Sequence, residues 1–429
     1  MTSLSREGGA RAGLSLPAAI VATSCGFVMV ARGAAETFGV FLLPIEESLG
    51  IGHAETTSIY ALAMVAIGLT GPFTGALIDR FGPRFAYTLG TVVLIAAFLA
   101  TAAATTLWQL QLALGLGVGL ATACVGTATQ GPLISRWFKG REATIFGVIS
   151  GTAGLGALIF TPLSQVLIEE WGWRAAYHAL ALIVSVLLLP LAFLPWKRIA
   201  EGPRMSDIEA GTDAGRALAS ASTDDRRSAW RRAVGDSLLW RMYASHFLTC
   251  AAVFGTQVLV VAYLVDSGYP PLVAAGAFGL AGLAAAVGVV LFGWLADRVG
   301  WHGTLTGSFT ATALGLGVLW AMSWGPQPWL LGLYIVTFGL SVGSRGPLIA
   351  GLAIRRFAGP AAGRVLGGLT LAFGLGSASG SWLSGMLHEA TDGYRAGLLV
   401  SGICLVLAFS MWWPWPDPSQ ALSSGDGND

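Results

Sequence analysis

Three ionisable side chains lie well inside apolar stretches of the sequence: Arg32, Glu36 and Arg345. A charged side chain inside a membrane is costly, and it usually faces a partner or a water-filled cavity. A guanidinium group can bind a carboxylate through two parallel hydrogen bonds, and a carboxyl group can take up and release a proton. These residue types therefore favour a site that binds an anion and exchanges a proton.

The spacing of these residues leaves two interpretations of each group. Arg32 and Glu36 are four residues apart and share one face of a helix. Either the two form a structural ion pair, or Glu36 carries the coupling proton and Arg32 adjusts its proton affinity. Arg345 has no acidic residue in its own apolar stretch. Its guanidinium either binds a ligand or satisfies carbonyl groups where Gly346-Pro347 interrupts the helix. Three further polar side chains are candidate ligand contacts: Gln130, Gln257 and Tyr263.

The composition requires a lipid environment around most of the chain. Of the 429 residues, 54% are hydrophobic and only 11% are charged, whereas soluble domains carry about 25% charged residues. A net charge of +1 gives no reason to expect a nucleic-acid partner. The cysteines stand in apolar runs without C-x-x-C spacing, so we expect no disulfide framework, no metal site and no cofactor. No catalytic constellation is present, so we expect no enzyme.

The apolar runs predict an all-α membrane protein, because open sheet backbone cannot face lipid. Runs of about 20 residues can each cross a bilayer. Twelve are predicted, near 16–43, 57–78, 85–105, 107–134, 144–168, 175–195, 240–265, 271–295, 303–323, 328–353, 365–388 and 395–413. They divide the chain into a six-helix bundle over 1–196, a cytoplasmic linker over 197–236, a second six-helix bundle over 237–416 and a disordered tail over 417–429.

A charged turn occurs twice, and this repeat indicates two copies of one unit. The first copy carries Gly75, Asp79, Arg80, Gly82 and Arg84, and the second carries Gly293, Asp297, Arg298 and Gly300. Equivalent positions differ by a constant 218 residues. The two bundles are therefore expected to be pseudo-symmetric.

The repeated turn resembles the loop between the second and third helices of major facilitator superfamily transporters. That resemblance implies secondary active transport of a small molecule by alternating access, through a cavity lined by helices one, four, seven and ten. It also implies that the turn is a gating motif. On this basis we expect Asp79 and Asp297 to stabilise the outward-open state by holding the cytoplasmic ends of the two halves together.

Other stretches resemble the bacterial monocarboxylate-transporter-like branch of this superfamily: Phe38-Gly39-Val40-Phe41, Arg136-Trp137-Phe138-Lys139-Gly140-Arg141 and Gly172-Trp173-Arg174-Ala175-Ala176-Tyr177. The resemblance implies a small organic anion, carried together with a proton that Glu36 would bind. The chain departs from the branch in span eight, where no arginine stands before the loop, and at Glu36, where a lysine is usual.

The alternative is efflux of a hydrophobic or cationic compound by proton antiport. The antiporter signature of span five is altered here, because Thr161 replaces the glycine before Pro162 and the following glycine pair is absent. A membrane sensor that binds without transporting is a third interpretation.

The distribution of basic residues predicts the orientation. With the N-terminus in the cytoplasm, Arg174 and Arg395 lie outside, Arg32 and Arg345 lie within spans, and the remaining Lys and Arg residues are cytoplasmic, as the positive-inside rule requires. We therefore expect a multi-pass protein of the plasma (inner) membrane with both termini in the cytoplasm. We also expect the protein to be a monomer.

Single cysteines test this orientation in intact cells. A cysteine placed within residues 197–236 should react with a membrane-impermeant reagent only after the cells are opened, because that segment is expected in the cytoplasm. The matched control is Trp171→Cys, which should react from outside. The reverse pattern of labelling would contradict the orientation.

Overall fold

The computed structural model describes residues 16–138, 142–194, 196, 199, 223–357 and 361–413. All regular secondary structure within these ranges is helical. Residues 1–15, most of the predicted linker up to residue 222, and the predicted tail over 417–429 lie outside the described residues.

Among the described residues, the first half of the chain forms nine α-helices. They are α1 (Leu16–Phe27), α2 (Gly33–Ala35), α3 (Phe38–Leu49), α4 (His53–Ala102), α5 (Leu107–Leu110), α6 (Gly119–Val125), α7 (Thr127–Trp137), α8 (Glu142–Ser185) and α9 (Leu188–Phe193). Two π-helical segments, Val28–Arg32 and Gln111–Val118, continue the first and fourth predicted spans.

The second half forms a further nine helices among the described residues. They are α10 (Thr223–Gly235), α11 (Ser237–Asp266), α12 (Pro271–Val299), α13 (Trp301–Met322), α14 (Pro328–Tyr334), α15 (Leu340–Val342), α16 (Arg345–Arg356), α17 (Ala362–Thr391) and α18 (Arg395–Ser410). A π-helical segment, Ile335–Gly339, lies between α14 and α15. π-Helical segments are rare in proteins, and those that occur often lie at functional sites.

Glycines with positive φ reverse the chain direction at the predicted turns. Gly82 has φ 82° and its repeat equivalent Gly300 has φ 86°. Gly172 has φ 79° within α8. Side chains other than glycine rarely adopt this conformation. Because of these breaks, α4 and α8 each consist of two helices joined at a sharp turn.

Eight helical stretches of the described part are long and apolar enough to cross a membrane. They are Pro17–Leu49, Arg80–Ala102, Leu107–Gly131, Ile145–Phe193, Ser237–Asp266, Pro271–Val299, Trp301–Met322 and Pro328–Arg356. Arg395–Ser410 is a shorter apolar helix. The prediction of an all-α membrane protein is thereby confirmed.

Two large hydrophobic clusters form the packed interior. The first is built almost entirely from residues before position 200 and includes the buried rings of Phe41 and Tyr177, with centroids 4.1 Å apart. The second is built almost entirely from residues after position 230 and includes Tyr334 and Phe338. Each half of the chain therefore packs around a core of its own.

Glycines allow the two halves to approach through their backbones. A Cβ added to Gly68 of α4 would lie 3.0 Å from the Cα of Gly374 in α17, and one added to Gly154 of α8 would collide with the carbonyl oxygen of Gly282 in α12. Small residues permit such close helix contact in lipid. The G-x-x-x-G pair of Gly376 and Gly380, by contrast, packs on α11 within the second half.

The contact between α8 and α12 can be tested with alanine. Gly154→Ala should lower the unfolding midpoint, because its methyl group would collide with backbone, and overpacking of this kind costs about 1–3 kcal/mol. The measurement is thermal unfolding in detergent. Gly147→Ala is the matched control in the same helix: nothing lies within 4 Å of its added Cβ, and its midpoint should be unchanged or raised. Equal effects of the two changes would contradict this account.

Candidate functional site

A cavity of about 340 Å³ lies between the two halves near the middle of the helices. Its walls include three of the charges that the sequence singled out, Arg32, Glu36 and Arg345, together with Gln257. Small side chains of α8 and α12, such as Ala157 and Ala286, form much of the remaining wall. The structure thus brings four of the sequence-selected residues into one space.

Arg32 and Glu36 form an ion pair at a break in the first span. The Arg32 Nη2 donates to Glu36 Oε1 at 2.8 Å, and the two side chains are 35% and 22% exposed. The helix passes from π geometry at Val28–Arg32 to a turn at Glu36 and Thr37 before α3 begins. The Thr37 hydroxyl donates to the carbonyl of Ala34 and stabilises this break. The pair is accessible from the cavity, so either partner can exchange its contact for a ligand.

Arg345 lies at the start of α16 and is only 1% exposed. Its Nη1 donates to Thr312 Oγ1 at 2.7 Å and to the Ser308 carbonyl at 3.2 Å, both in α13. Its guanidinium lies over the ring of Phe309, 5.0 Å from the centroid. The Nε and Nη2 groups have no hydrogen-bond partner among the described residues. Unpaired buried donors of a charged group are costly, at about 1–3 kcal/mol or more.

His246 of α11 is a site residue that the sequence analysis did not select. It is 8% exposed, lines the cavity beside Arg345, and its Nδ1 has no partner in the described part of the chain. Thr249 Oγ1 and Gln257 Oε1 on the same helix are also buried without a partner, and both residues line the cavity. Positions 246, 249 and 257 share one helical face. This spacing is the feature of the sequence that could have indicated a polar face on α11.

Gln130 and Tyr263 lie away from this cavity. The Gln130 Nε2 donates to the carbonyl of Val125 at 3.1 Å, across the break that Gly126 makes between α6 and α7. The Tyr263 hydroxyl donates to the carbonyl of Leu319, and its ring packs against Tyr394. The structure therefore places both residues in helix-packing contacts and not with Arg345.

The charged turns lie at one end of the helices. Arg80 and Arg298, equivalent in the repeat, each lie over an aromatic ring, that of Phe81 at 5.2 Å and that of Trp294 at 4.9 Å. Asp297 is exposed and makes no hydrogen bond to another described residue. Arg84 is exposed as well, and the side chain of Asp79 falls outside what the structure describes.

The two halves meet at the opposite end, which we call the closed end. A Cβ added to Gly39 of α3 would lie 3.4 Å from the carbonyl oxygen of Val258 in α11. The Ala54 amide of α4 donates to Glu389 Oε1 of α17 at 2.8 Å. These contacts separate the cavity from the closed end, so ligands would enter from the end that carries the charged turns.

Comparison with known proteins agrees with this architecture. The family model described as Major Facilitator Superfamily matches residues 24–367. Monocarboxylate transporter 11 of Homo sapiens is 29% identical over 392 residues, which span 86% of this chain and 76% of that protein. Monocarboxylate transporter 13 of Bos taurus is 28% identical over 380 residues, spanning 87% and 83%.

A solved structure of the nucleoside transporter NupG, in a mutant form, shares the fold. Its TM-score is 0.72 at 15% identity, covering 94% of this chain and 100% of that one. A bacterial homologue of the human drug peptide transporters gives a TM-score of 0.65 at 14% identity, covering 92% and 96%. At these identities the likeness concerns the fold alone.

Proposed function

The chain belongs to the major facilitator superfamily, and we propose that it carries a small organic anion across the plasma membrane by alternating access, coupled to protons. It is a multi-pass membrane transporter, and the relatives that it resembles are transporters and not enzymes. Two of these relatives are named monocarboxylate transporters, which supports an anionic substrate.

The observation that carries the proposal is the incomplete pairing of Arg345. Two of its nitrogen groups are buried without partners among the described residues, in a cavity shared by both halves. Beside it, His246 Nδ1 and Thr249 Oγ1 likewise have no partner in the part of the chain that the structure describes. A carboxylate bound here would accept hydrogen bonds from Arg345 and would satisfy groups that the protein leaves unsatisfied. Such charge-assisted bonds are the strong ones.

The charges of the cavity also provide a route for proton coupling. Arg32 and Glu36 balance each other, and Arg345 adds one positive charge that an anion would neutralise. When the anion binds, Glu36 can take up a proton, because a second negative charge in this low-dielectric space favours its neutral form. Arg32 then becomes free for the anion. Anion and proton would therefore cross together.

The helical segments support twelve spans in two halves. Eight stretches of the described part are candidate spans, and the turn at Gly172 divides one of them, Ile145–Phe193, into two. Three more helices bring the number to twelve: the first part of α4, α17 and α18. We propose bundles over 1–196 and 237–416 on this basis. The distribution of basic residues supports a cytoplasmic location for the charged-turn end. In that orientation, the conformation described here would accept ligand from inside.

The gating role of the charged turns fits this conformation. Asp297 has no partner among the described residues at the end that is open. In the outward-open state, we infer that Asp79 and Asp297 each approach a helix N-terminus of the neighbouring half, where a carboxylate gains about 0.3–1 kcal/mol at an exposed site. Their contacts would form only when the cytoplasmic ends close.

Substitution of Arg345 tests the anion site. Arg345→Gln should weaken binding of the best anionic ligand by about 10- to 100-fold, since hydrogen bonds to charged groups contribute about 1.5–3 kcal/mol. Arg345→Lys should also weaken it, because an ammonium lacks the planar fork of donors. Ligand binding to purified protein in detergent is the measurement. Unchanged affinity in Arg345→Gln would reject the site.

Thr312→Val is the matched control for the structural contact of Arg345. It removes the hydroxyl that Arg345 contacts on α13 and leaves the guanidinium in place. We expect lower thermal stability, because a hydrogen bond to a charged group contributes about 1.5–3 kcal/mol. Affinity should stay close to that of the wild type, because the guanidinium that binds the ligand is retained. If Thr312→Val weakens binding as much as Arg345→Gln, Arg345 acts through packing and not through the ligand.

Substitution of Glu36 tests the coupling. Glu36→Gln cannot release a proton, so uptake into liposomes should lose its response to an imposed pH gradient while exchange of anion across the membrane continues. The two assays use the same liposome preparation, and the wild-type protein serves as the reference for both. Gradient-driven accumulation in Glu36→Gln at the wild-type level would show that another group carries the proton.

A further inference from the structure

The cavity that contains Arg345 has two chemically different walls. The polar wall carries Arg345, the Arg32–Glu36 pair and the polar face of α11. The other wall belongs to α8 and α12, and among the described residues its only polar side chain is that of Ser150. We call it the apolar wall, and it consists chiefly of Ala153, Gly154, Ala157, Gly282, Ala285 and Ala286.

The apolar wall is built from side chains that extend no further than one carbon. Glycine and alanine therefore leave a broad, shallow surface between α8 and α12, against which a flat group can lie. A polar group placed there would lose its water without gaining hydrogen bonds, which is costly. The side of the ligand that meets this wall must therefore be apolar.

Aromatic rings lie where the apolar wall gives way to the polar one. Phe254 of α11 and Phe373 of α17 are half-buried, line the cavity and pack edge to face, with ring centroids 5.3 Å apart at 87°. The Phe373 ring also lies 6.4 Å from that of His246, 29° from parallel. Aromatic rings favour edge-to-face and offset partners beyond what area alone predicts. A third ring, supplied by a ligand, would extend this cluster.

The size of the cavity selects against the smallest anions. Its volume of about 340 Å³ is more than twice that of an apolar protein cavity of about 150 Å³ that binds benzene. A ring and a carboxylate therefore fit together. A two-carbon anion at Arg345 would leave most of the space to water and the apolar wall uncovered, so that the hydrophobic contribution would be lost.

The charges limit the ligand to one carboxylate. Arg345 is the cavity's uncompensated cation, because Arg32 is bound to Glu36 at 2.8 Å. We propose that the substrate is an aromatic monocarboxylate, with its carboxylate on Arg345 and its ring between the apolar wall and the pair Phe254 and Phe373. This inference rests on the proposed function, because it assigns the substrate class of the same site.

Affinities of matched carboxylates for the purified protein in detergent test the assignment. Benzoate and phenylacetate carry an aromatic ring, cyclohexanecarboxylate and cyclohexylacetate carry a saturated ring, and acetate carries none. All are monoanions at neutral pH. The better of the two aromatic anions should bind about 10- to 100-fold more tightly than acetate, because burial of a group as large as a phenylalanine side chain gives a factor of that order.

Phe254→Leu tests the aromatic contact and keeps an apolar side chain at this position. The ratio of the affinity for the aromatic anion to that for its saturated counterpart should fall about 2- to 10-fold, because the gain from a ring pair is lost. A merely structural role of Phe254 would weaken both anions together and leave this ratio unchanged.

Ala285→Leu tests the apolar wall by filling part of the space assigned to the ring. It should weaken the aromatic anion at least tenfold more than it weakens acetate. The matched control is Val287→Leu in the same helix, which enlarges a side chain that is 53% exposed and does not line the cavity. The control should leave the two affinities and their ratio close to those of the wild type.

The outcomes separate this inference from the proposed function. Acetate binding as tightly as the aromatic anions, with all of them weakened in Arg345→Gln, would overturn the aromatic class and leave anion transport intact. Failure of every carboxylate to bind would contradict both. An unchanged ratio in Phe254→Leu, or an equal effect of Ala285→Leu on acetate and the aromatic anion, would also overturn the proposal. If Ala285→Leu does not fold, the wild-type series and Phe254→Leu decide.

Discussion

The structure depends on how a buried guanidinium is accommodated among apolar helices. Arg345 is almost fully buried, and among the described residues only its Nη1 is bonded, to Ser308 and Thr312 of α13. An isolated charge in a low-dielectric interior is expensive unless it is paired and hydrogen-bonded. The ring of Phe309 offsets part of that cost. The Nε and Nη2 groups, which have no partner among the described residues, face a cavity. This arrangement favours an anionic ligand.

Equivalent positions in the two halves of the repeat make different contacts. Gln130 and Arg345 occupy matching places before a Gly-Pro pair. In the first half the amide satisfies the Val125 carbonyl of its own broken helix. In the second half the guanidinium reaches a neighbouring helix and leaves donors free. The asymmetry places the incompletely bonded guanidinium on the wall of the cavity that the second half forms.

Local features of the structure followed from the sequence, because they depend on nearby residues. Helical spans follow from apolar runs, the turn glycines Gly82 and Gly300 from the repeated motif, and the pairing of Arg32 with Glu36 from their four-residue spacing. Contacts between distant elements did not follow. The sequence gives no sign that His246 lies beside Arg345, since 99 residues separate them. The pairing of α4 with α17 at the closed end is likewise a property of how the halves pack.

A thermal-shift screen of the purified wild-type protein tests the central claim most directly. A ligand that binds only the native state stabilises it, by about 2.7 kcal/mol at a concentration one hundred times its dissociation constant. The screen compares small organic anions with hydrophobic cations of similar size at equal ionic strength. The account predicts that anions raise the unfolding midpoint and that cations leave it unchanged. Stabilisation by cations alone would contradict it and would favour efflux of a cationic compound.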